Sequence, residues 1–244
     1  MDNSFAVGLS AQQVLNQRMD TTANNLANMT TTGFKAEHLV MRKLSEQPAT
    51  ASDQPNTIAF VDAWKLQRDM SNGSLERTGN PLDAAIEGEG FFVVQTPDGG
   101  TAYTRDGRFS MDESGKLITR DGMTVMGSGG PITIDPNAGP INIGKDGAVV
   151  QNEQVIGTLN VVAFDKPGAL EKMGGNLWKP VGQTGRPPVG MRVAGGFIEG
   201  SNVNPVSELT QMISISRAYE SIGQMLSNAD QMRGGAIDKL SRIS

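Results

Sequence analysis

The sequence predicts an α+β protein: a mainly-β central domain, antiparallel and sandwich- or barrel-like, flanked by N- and C-terminal α-helices that pair in coiled-coil fashion. Three observations predict it. Of 30 glycines in 244 residues, 25 fall between Gly73 and Gly200. The stretches 1–47 and 206–244 hold no proline. Gly and Pro cost about 1 and about 3 kcal/mol against Ala inside a helix, so helices belong at the ends and tight turns in the middle. Finally, four Asp-Gly steps at Asp98, Asp106, Asp121 and Asp146 punctuate short alternating apolar runs, and this pair favours hairpin turns. The chain divides into a helix over 1–33, a connecting region over 34–80, a β-rich domain over 81–199 and a second helix over 200–244.

The first helix is expected over residues 4–29. Leu15, Met19, Thr22, Leu26 and Met29 follow the four-three spacing of a coiled-coil seam. Gly8 and Gln12 weaken the stripe where earlier seam positions fall. Thr31, Thr32 and Gly33 end it, with Gly33 able to take the positive φ of a helix C-terminus. The opposite face carries the amides Gln12, Gln13, Asn16, Gln17, Asn24, Asn25 and Asn28, which hydrogen-bond to neighbours without charge repulsion.

Residues 45–57 read as a linker, and 58–70 as either an extended segment or a short helix. Strands are expected over 91–95, 101–104, 108–111, 116–119, 124–126, 131–134, 148–151, 154–164 and 192–198. The second helix opens on Asn204-Pro205, an N-cap followed by a first-turn proline. Its seam runs from Met212 through Ile215, Tyr219, Ile222, Leu226, Ala229, Ala236 and Leu240, interrupted by Arg233. A second stripe of Val206, Leu209 and Ile213, with Met225 and Met232 beyond, widens the apolar face, and such a helix needs more than one neighbour. Gly234 and Gly235 predict fraying or a break.

Composition excludes whole classes of chemistry. With no cysteine there is no disulfide, thiolate nucleophile or Cys-ligated metal, and with one histidine, His38, no His-rich metal site. No cofactor or metal is expected. The net charge of −5 argues against nucleic-acid binding. Residues 1–47 and 204–244 each carry four basic and four acidic residues, so the whole negative balance lies in the middle. No apolar run approaches the ~20 residues of a membrane span, and the opening residues lack the basic and apolar regions of a cleaved signal peptide.

The motifs that mimic catalytic sites do not hold up. Gly88-Glu89-Gly90 precedes a strand and lacks the further glycine or Gly-Lys-Ser/Thr of phosphate loops. It is expected to turn the chain so that Phe91 and Val93 face one side of a strand and Phe92 and Val94 the other. Asp106, Asp112, Glu113 and Asp121 lack the oxygen spacing of a calcium loop and read as turn residues. Glu87 with Glu89, or Asp112 with Glu113, has nothing that marks a glycosidase pair. Arg105 and Arg108 flank Asp106 as a local charge pair, and His38 is expected at the surface. What remains is structure or binding, not catalysis.

Three separated blocks carry a resemblance. Ala23-Asn24-Asn25-Leu26-Ala27-Asn28 with Thr31-Thr32-Gly33-Phe34-Lys35 resembles the N-terminal signature of the bacterial flagellar basal-body rod and hook proteins. The runs 88–94, 103–109 and 115–122 look like the β domain those proteins share. Glu199-Gly200-Ser201-Asn202-Val203-Asn204, Arg217-Ala218-Tyr219-Glu220 and Asp230-Gln231-Met232 resemble their C-terminal signature. Within the family, the chain length, the opening residues and the continuation Ser221-Ile222 look most like the proximal rod branch.

The resemblance implies a structural subunit whose terminal helices form a coiled-coil-like assembly region and whose β domain is an outer layer. Its partners would be further copies, other flagellar rod subunits and the flagellar type III export apparatus. Its location would be the periplasmic rod of the basal body, reached without a cleaved signal. By resemblance and helix seam, the assembly residues are Leu15, Met19, Asn24, Asn25, Leu26, Ala27, Asn28, Gly33, Phe34, Ser201, Asn202, Val203, Ile215, Arg217, Tyr219, Glu220, Ile222 and Leu226. The alternatives are a distal rod or hook-type subunit and, more remotely, an exported carbohydrate-binding or carbohydrate-cleaving β protein using aromatics such as Tyr103 or Trp178.

Overall fold

A computed structural model describes residues 2–41 and 64–241, with side chains described over 7–40 and 66–235. The linker expected over 45–57 lies outside the described residues. The chain forms an α+β protein in two compact units: residues 1–27, 37–68 and 204–244 make one, and 28–36 with 69–203 make the other.

The first unit holds two long helices and a two-stranded antiparallel ribbon. Helix α1 spans Asp2–Ala27 and helix α2 spans Pro205–Ser241. The Asn204 carboxamide oxygen accepts from the N–H groups of Val206 and Ser207 at 3.1 and 3.3 Å, the expected N-cap. Helix α2 runs unbroken through Gly234 and Gly235. The expected break is absent because glycine weakens a helix without removing its hydrogen bonds, whereas proline removes one. Strand Glu37–Met41 pairs with Trp64–Arg68, Leu39 lying opposite Leu66. The described part of 58–70 is therefore extended up to Arg68.

The second unit is mainly β, and its described strands all pair antiparallel. Its largest sheet has nine described strands and is centred on Phe91–Gln95, with Thr101–Thr104 on one side and Thr124–Gly127 on the other. A three-stranded sheet contains Ile141–Ile143, Ala148–Gln151 and Gln154–Thr158. Ala84–Glu87 pairs with Arg192–Gly195, and Leu75–Arg77 with Phe197–Glu199. One core joins Phe92, Val94, Phe109, Leu117, Val125, Ile143, Val149 and Val193. Phe91 instead packs with Phe164, Leu170 and Trp178 on the other side of its strand. That strand is thus buried on both faces, as its Phe-Phe-Val-Val run requires.

Several boundaries differ from the sequence reading. The run 154–164 splits into Gln154–Thr158 and Val161–Val162, and 192–198 breaks at Gly196. Of 131–134, only Pro131 lies in a strand, with a further bridge between Lys116 and Thr133. Leu75–Arg77, Ala84–Glu87, Ile141–Ile143, Glu171–Gly174 and Leu177–Lys179 are further strands that the sequence reading did not name.

Three of the four Asp-Gly steps have the expected positive φ, at Gly99, Gly122 and Gly147. Gly107 does not, and a different need selects it. A Cβ there would land on the Ala84 carbonyl oxygen, and the Ala84 N–H donates to the Gly107 carbonyl at 3.0 Å. The glycine admits a close backbone approach, not a hairpin.

Candidate assembly site

Helices α1 and α2 run side by side in opposite directions. A Cβ on Gly8 would press on the Leu226 side chain, Gly223 faces the Gln12 amide, and Asn25 Nδ2 donates to Glu208 Oε2 at 3.3 Å. Gly8 and Gln12, which look like gaps in the seam, are matched by size across the two helices: Leu226 fills the space at Gly8, and Gly223 leaves room for Gln12.

Along this pair Ile215 is buried, Leu15, Met19, Leu26, Ile222 and Leu226 are half-buried, and Asn24, Ala27, Arg217, Tyr219 and Glu220 are exposed. Ala236 and Leu240 lie outside the described side chains. The second stripe of α2 is open: Val206 and Met232 are 73% and 72% exposed, with Leu209, Ile213 and Met225 also at the surface. Val7 and Leu9 on α1 are exposed as well. A helix with this much uncovered apolar surface presents an interaction face.

Asn25 is buried for a local reason. Its carboxamide oxygen accepts from the Glu37 N–H at 2.9 Å, and its Nδ2 donates to the Glu37 carbonyl at 2.8 Å. The side chain thus stands in for a strand neighbour at the start of Glu37–Met41, satisfying both backbone groups of one residue.

In the β-rich unit, the rest of the signature residues meet at one junction. Phe34, Ala36 and Val203 form a small apolar cluster, with the Lys172 ammonium 4.8 Å from the centre of the Phe34 ring. Asn202 Oδ1 accepts from the Ala36 N–H at 2.8 Å, and its Nδ2 donates to the carbonyls of Asp69 at 2.9 Å and Ser71 at 3.2 Å. Ser201 Oγ accepts from the Val203 N–H at 3.3 Å. Asn28 Oδ1 accepts from the Thr31 hydroxyl. Gly33 is not a helix cap, since α1 stops at Ala27, six residues earlier. It takes φ +68°, donates to the Glu199 carbonyl at 2.7 Å, and has no room for a Cβ against the backbone of Arg105 and Asp106.

The centre of the junction is a buried charge cluster that sequence reasoning missed. Lys35 Nζ lies 2.6 Å from Glu199 Oε1, and Arg105 Nη1 lies 3.0 Å from Glu199 Oε2. Arg105 Nη2 donates to the Gly88 carbonyl at 2.8 Å, and its guanidinium lies 5.4 Å from the centre of the Phe91 ring. Burial pushes the Lys35 ammonium and the Arg105 guanidinium below their usual values, and Glu199 opposes the shift at both. Arg105 therefore does not join Asp106. That local pair is made by Arg108 alone, with Nε 2.9 Å from Oδ1. The only hint in the sequence was that Lys35 and Glu199 stand at the edges of two signature blocks.

The other acidic candidates are surface or turn residues. Asp112 accepts from the N–H groups of Ser114 and Lys116, which with the Ser114 hydroxyl hold its carboxyl below the usual range. Glu89 pairs with Arg186 at the surface, and His38 is exposed. Among the described residues, no three His, Asp or Glu side chains group to hold a metal ion, and no helix is long and apolar enough to cross a membrane.

Three family models match: "Flagella basal body rod protein" over residues 5–35, "Flagellar hook protein FlgE/F/G D1 domain" over 85–151 and "Flagellar basal body rod FlgEFG protein C-terminal" over 194–238. The chain is 41% identical over 246 aligned residues to the flagellar basal-body rod protein FlgF of Caulobacter vibrioides, covering all of both chains. It is 39% identical to FlgF of Mesorhizobium japonicum, again over the whole of both. To FlgG of Buchnera aphidicola it is 36% identical, over 97% of this chain and 96% of the relative.

Proposed function

The chain belongs to the flagellar basal-body rod protein family, and from that premise we propose that its exposed helical face is the surface through which it enters the rod. It is a structural, non-catalytic subunit of the flagellar basal body, working with other rod subunits to transmit torque. The full-length similarity to FlgF relatives supports the proximal branch.

The observation that carries the proposal is the open stripe of Val206, Leu209 and Ile213 on a helix whose other side already packs on α1. One helix neighbour leaves this stripe in water, and further copies would cover it. Contacts of this kind that do not close into a ring build a filament. In this reading helices α1 and α2 pair as a coiled-coil-like core of the rod. The domain over 81–199, sandwich-like, forms its outer layer, joined through 34–80. Neutral helices and an acidic β domain fit that division. The subunit travels through the flagellar type III export apparatus with its N-terminus uncleaved and comes to lie in the periplasmic rod.

The test is to express Val206→Ser/Leu209→Ser/Ile213→Ser from the native locus and isolate basal bodies. The expected result is a folded, exported protein absent from rods that stop short. Normal rods and swimming would overturn the proposal. Deletion of the whole chain discriminates the branches: arrest before the distal rod forms supports the proximal one, and later arrest the distal.

A further inference from the structure

We propose that Asn72-Gly73 is a folding-gated deamidation site: the step reacts in the unfolded chain and is blocked once residues 69–74 have docked on 199–201. It is the one Asn-Gly step in the sequence. At such a step the main-chain nitrogen of the glycine attacks the neighbouring carboxamide readily, because no Cβ obstructs the approach. The Gly73 N–H gives up its proton, its nitrogen bonds to Asn72 Cγ, the Cγ–Nδ2 bond breaks and ammonia leaves. Water then opens the cyclic imide at either carbonyl, leaving aspartate or isoaspartate at position 72. Water is the only co-reactant.

Asn72 is exposed, so burial does not shelter its carboxamide. What the fold holds is the nucleophile. The Gly73 N–H donates to Glu199 Oε1 at 3.0 Å, and the Glu199 side chain is 1% exposed. The proton points at a buried carboxylate instead of at solvent, so hydroxide does not reach it while the bond stands. The carboxylate itself is far too weak a base to take a proton from a peptide nitrogen. Attack on Cγ also requires the planar peptide between Asn72 and Gly73 to turn as a unit. A Cβ on Gly73 would land on the Gly200 carbonyl oxygen, so the two backbones touch there and leave the plane little room to turn. The Gly200 N–H donates to the Ser74 carbonyl at 2.8 Å, and Leu75 pairs with Glu199, which fixes the residues that follow.

One contact acts the other way. Arg105 Nη1 donates to Asn72 Oδ1 at 3.4 Å, which draws electrons from Cγ and favours attack. That bond is long, and a polarised carboxamide does not react with a nitrogen that keeps its proton. The close packing also explains why the reactive step is present at all. Glycine is the residue that fits against the Gly200 carbonyl, so the fold that demands Gly73 creates the Asn-Gly pair and then locks it. Deamidation in the folded protein thus waits on local opening of residues 69–74, and its rate falls with the fraction of time spent open.

The test follows aspartate and isoaspartate at position 72 of the full-length protein by peptide mapping, in mildly alkaline buffer with and without guanidinium chloride. Deamidation is expected to be at least about tenfold slower in the folded protein than in the unfolded chain. A smaller ratio overturns the gate. Amide hydrogen exchange at Gly73 tests the cause, because exchange and deamidation need the same proton released. Protection of at least about tenfold is expected there as well. Weaker protection at Gly73 beside slow deamidation overturns the role given to Glu199, and with it the proposal.

Discussion

Lys35 and Glu199 meet at 2.6 Å with both side chains about 1% exposed, although 164 positions separate them in the chain. With Arg105 on the second carboxylate oxygen, Glu199 of the C-terminal signature is the shared acceptor for the N-terminal signature and the β domain. Buried ion pairs of this kind add little net stability over apolar packing, yet removing one partner is costly because the other charge stays buried.

Glu199→Gln is therefore expected to destabilise the β-rich unit by about 3–5 kcal/mol, since the guanidinium of Arg105 loses its counter-charge. Chemical denaturation monitored by Trp178 fluorescence measures it. A loss below about 1 kcal/mol would show that the cluster is solvated.

Arg108→Ala is the surface contrast. Its partner Asp106 is close, but the Arg108 side chain is about a third exposed, so water already screens the pair. The expected cost is under about 1 kcal/mol in the same assay, and a larger one would mean that Arg108 has a further role.

Two glycines should respond oppositely to alanine. Gly107→Ala drives a Cβ into the Ala84 carbonyl, a backbone atom with nowhere to move, and is expected to cost more than about 3 kcal/mol or to abolish folding. Gly8→Ala meets only the tip of the Leu226 side chain, which can rotate, and it gains about 1 kcal/mol of helix propensity. Its expected net effect is within about 1 kcal/mol. Thermal melts of the two variants separate the cases.

Leu26→Asp places a carboxylate on the half-buried face of α1. It is expected to block rod assembly while the β-rich unit stays folded, because its core contains no residue of α1. Motility assays together with near-UV circular dichroism check both halves, and near-normal swimming would count against the seam.

Much of this protein was legible in its residues. Glycine and proline placement determined where helices stop and turns begin, Asn204-Pro205 marked the start of α2, and the Phe91–Val94 run announced a strand buried on both faces. These features are local: a cap, a turn or an alternating run carries its signal within a few residues. What only the tertiary structure decided was non-local. Gly107 looks like a turn residue until Ala84 is brought against it, and Gly8 looks like a gap until Leu226 fills it. Lys35 and Glu199 read only as parts of two signature blocks, and Arg105 as a local partner of Asp106, until folding buries the three together. Burial sets their energetics, and burial depends on which distant segments pack against a residue, which no short stretch of sequence records.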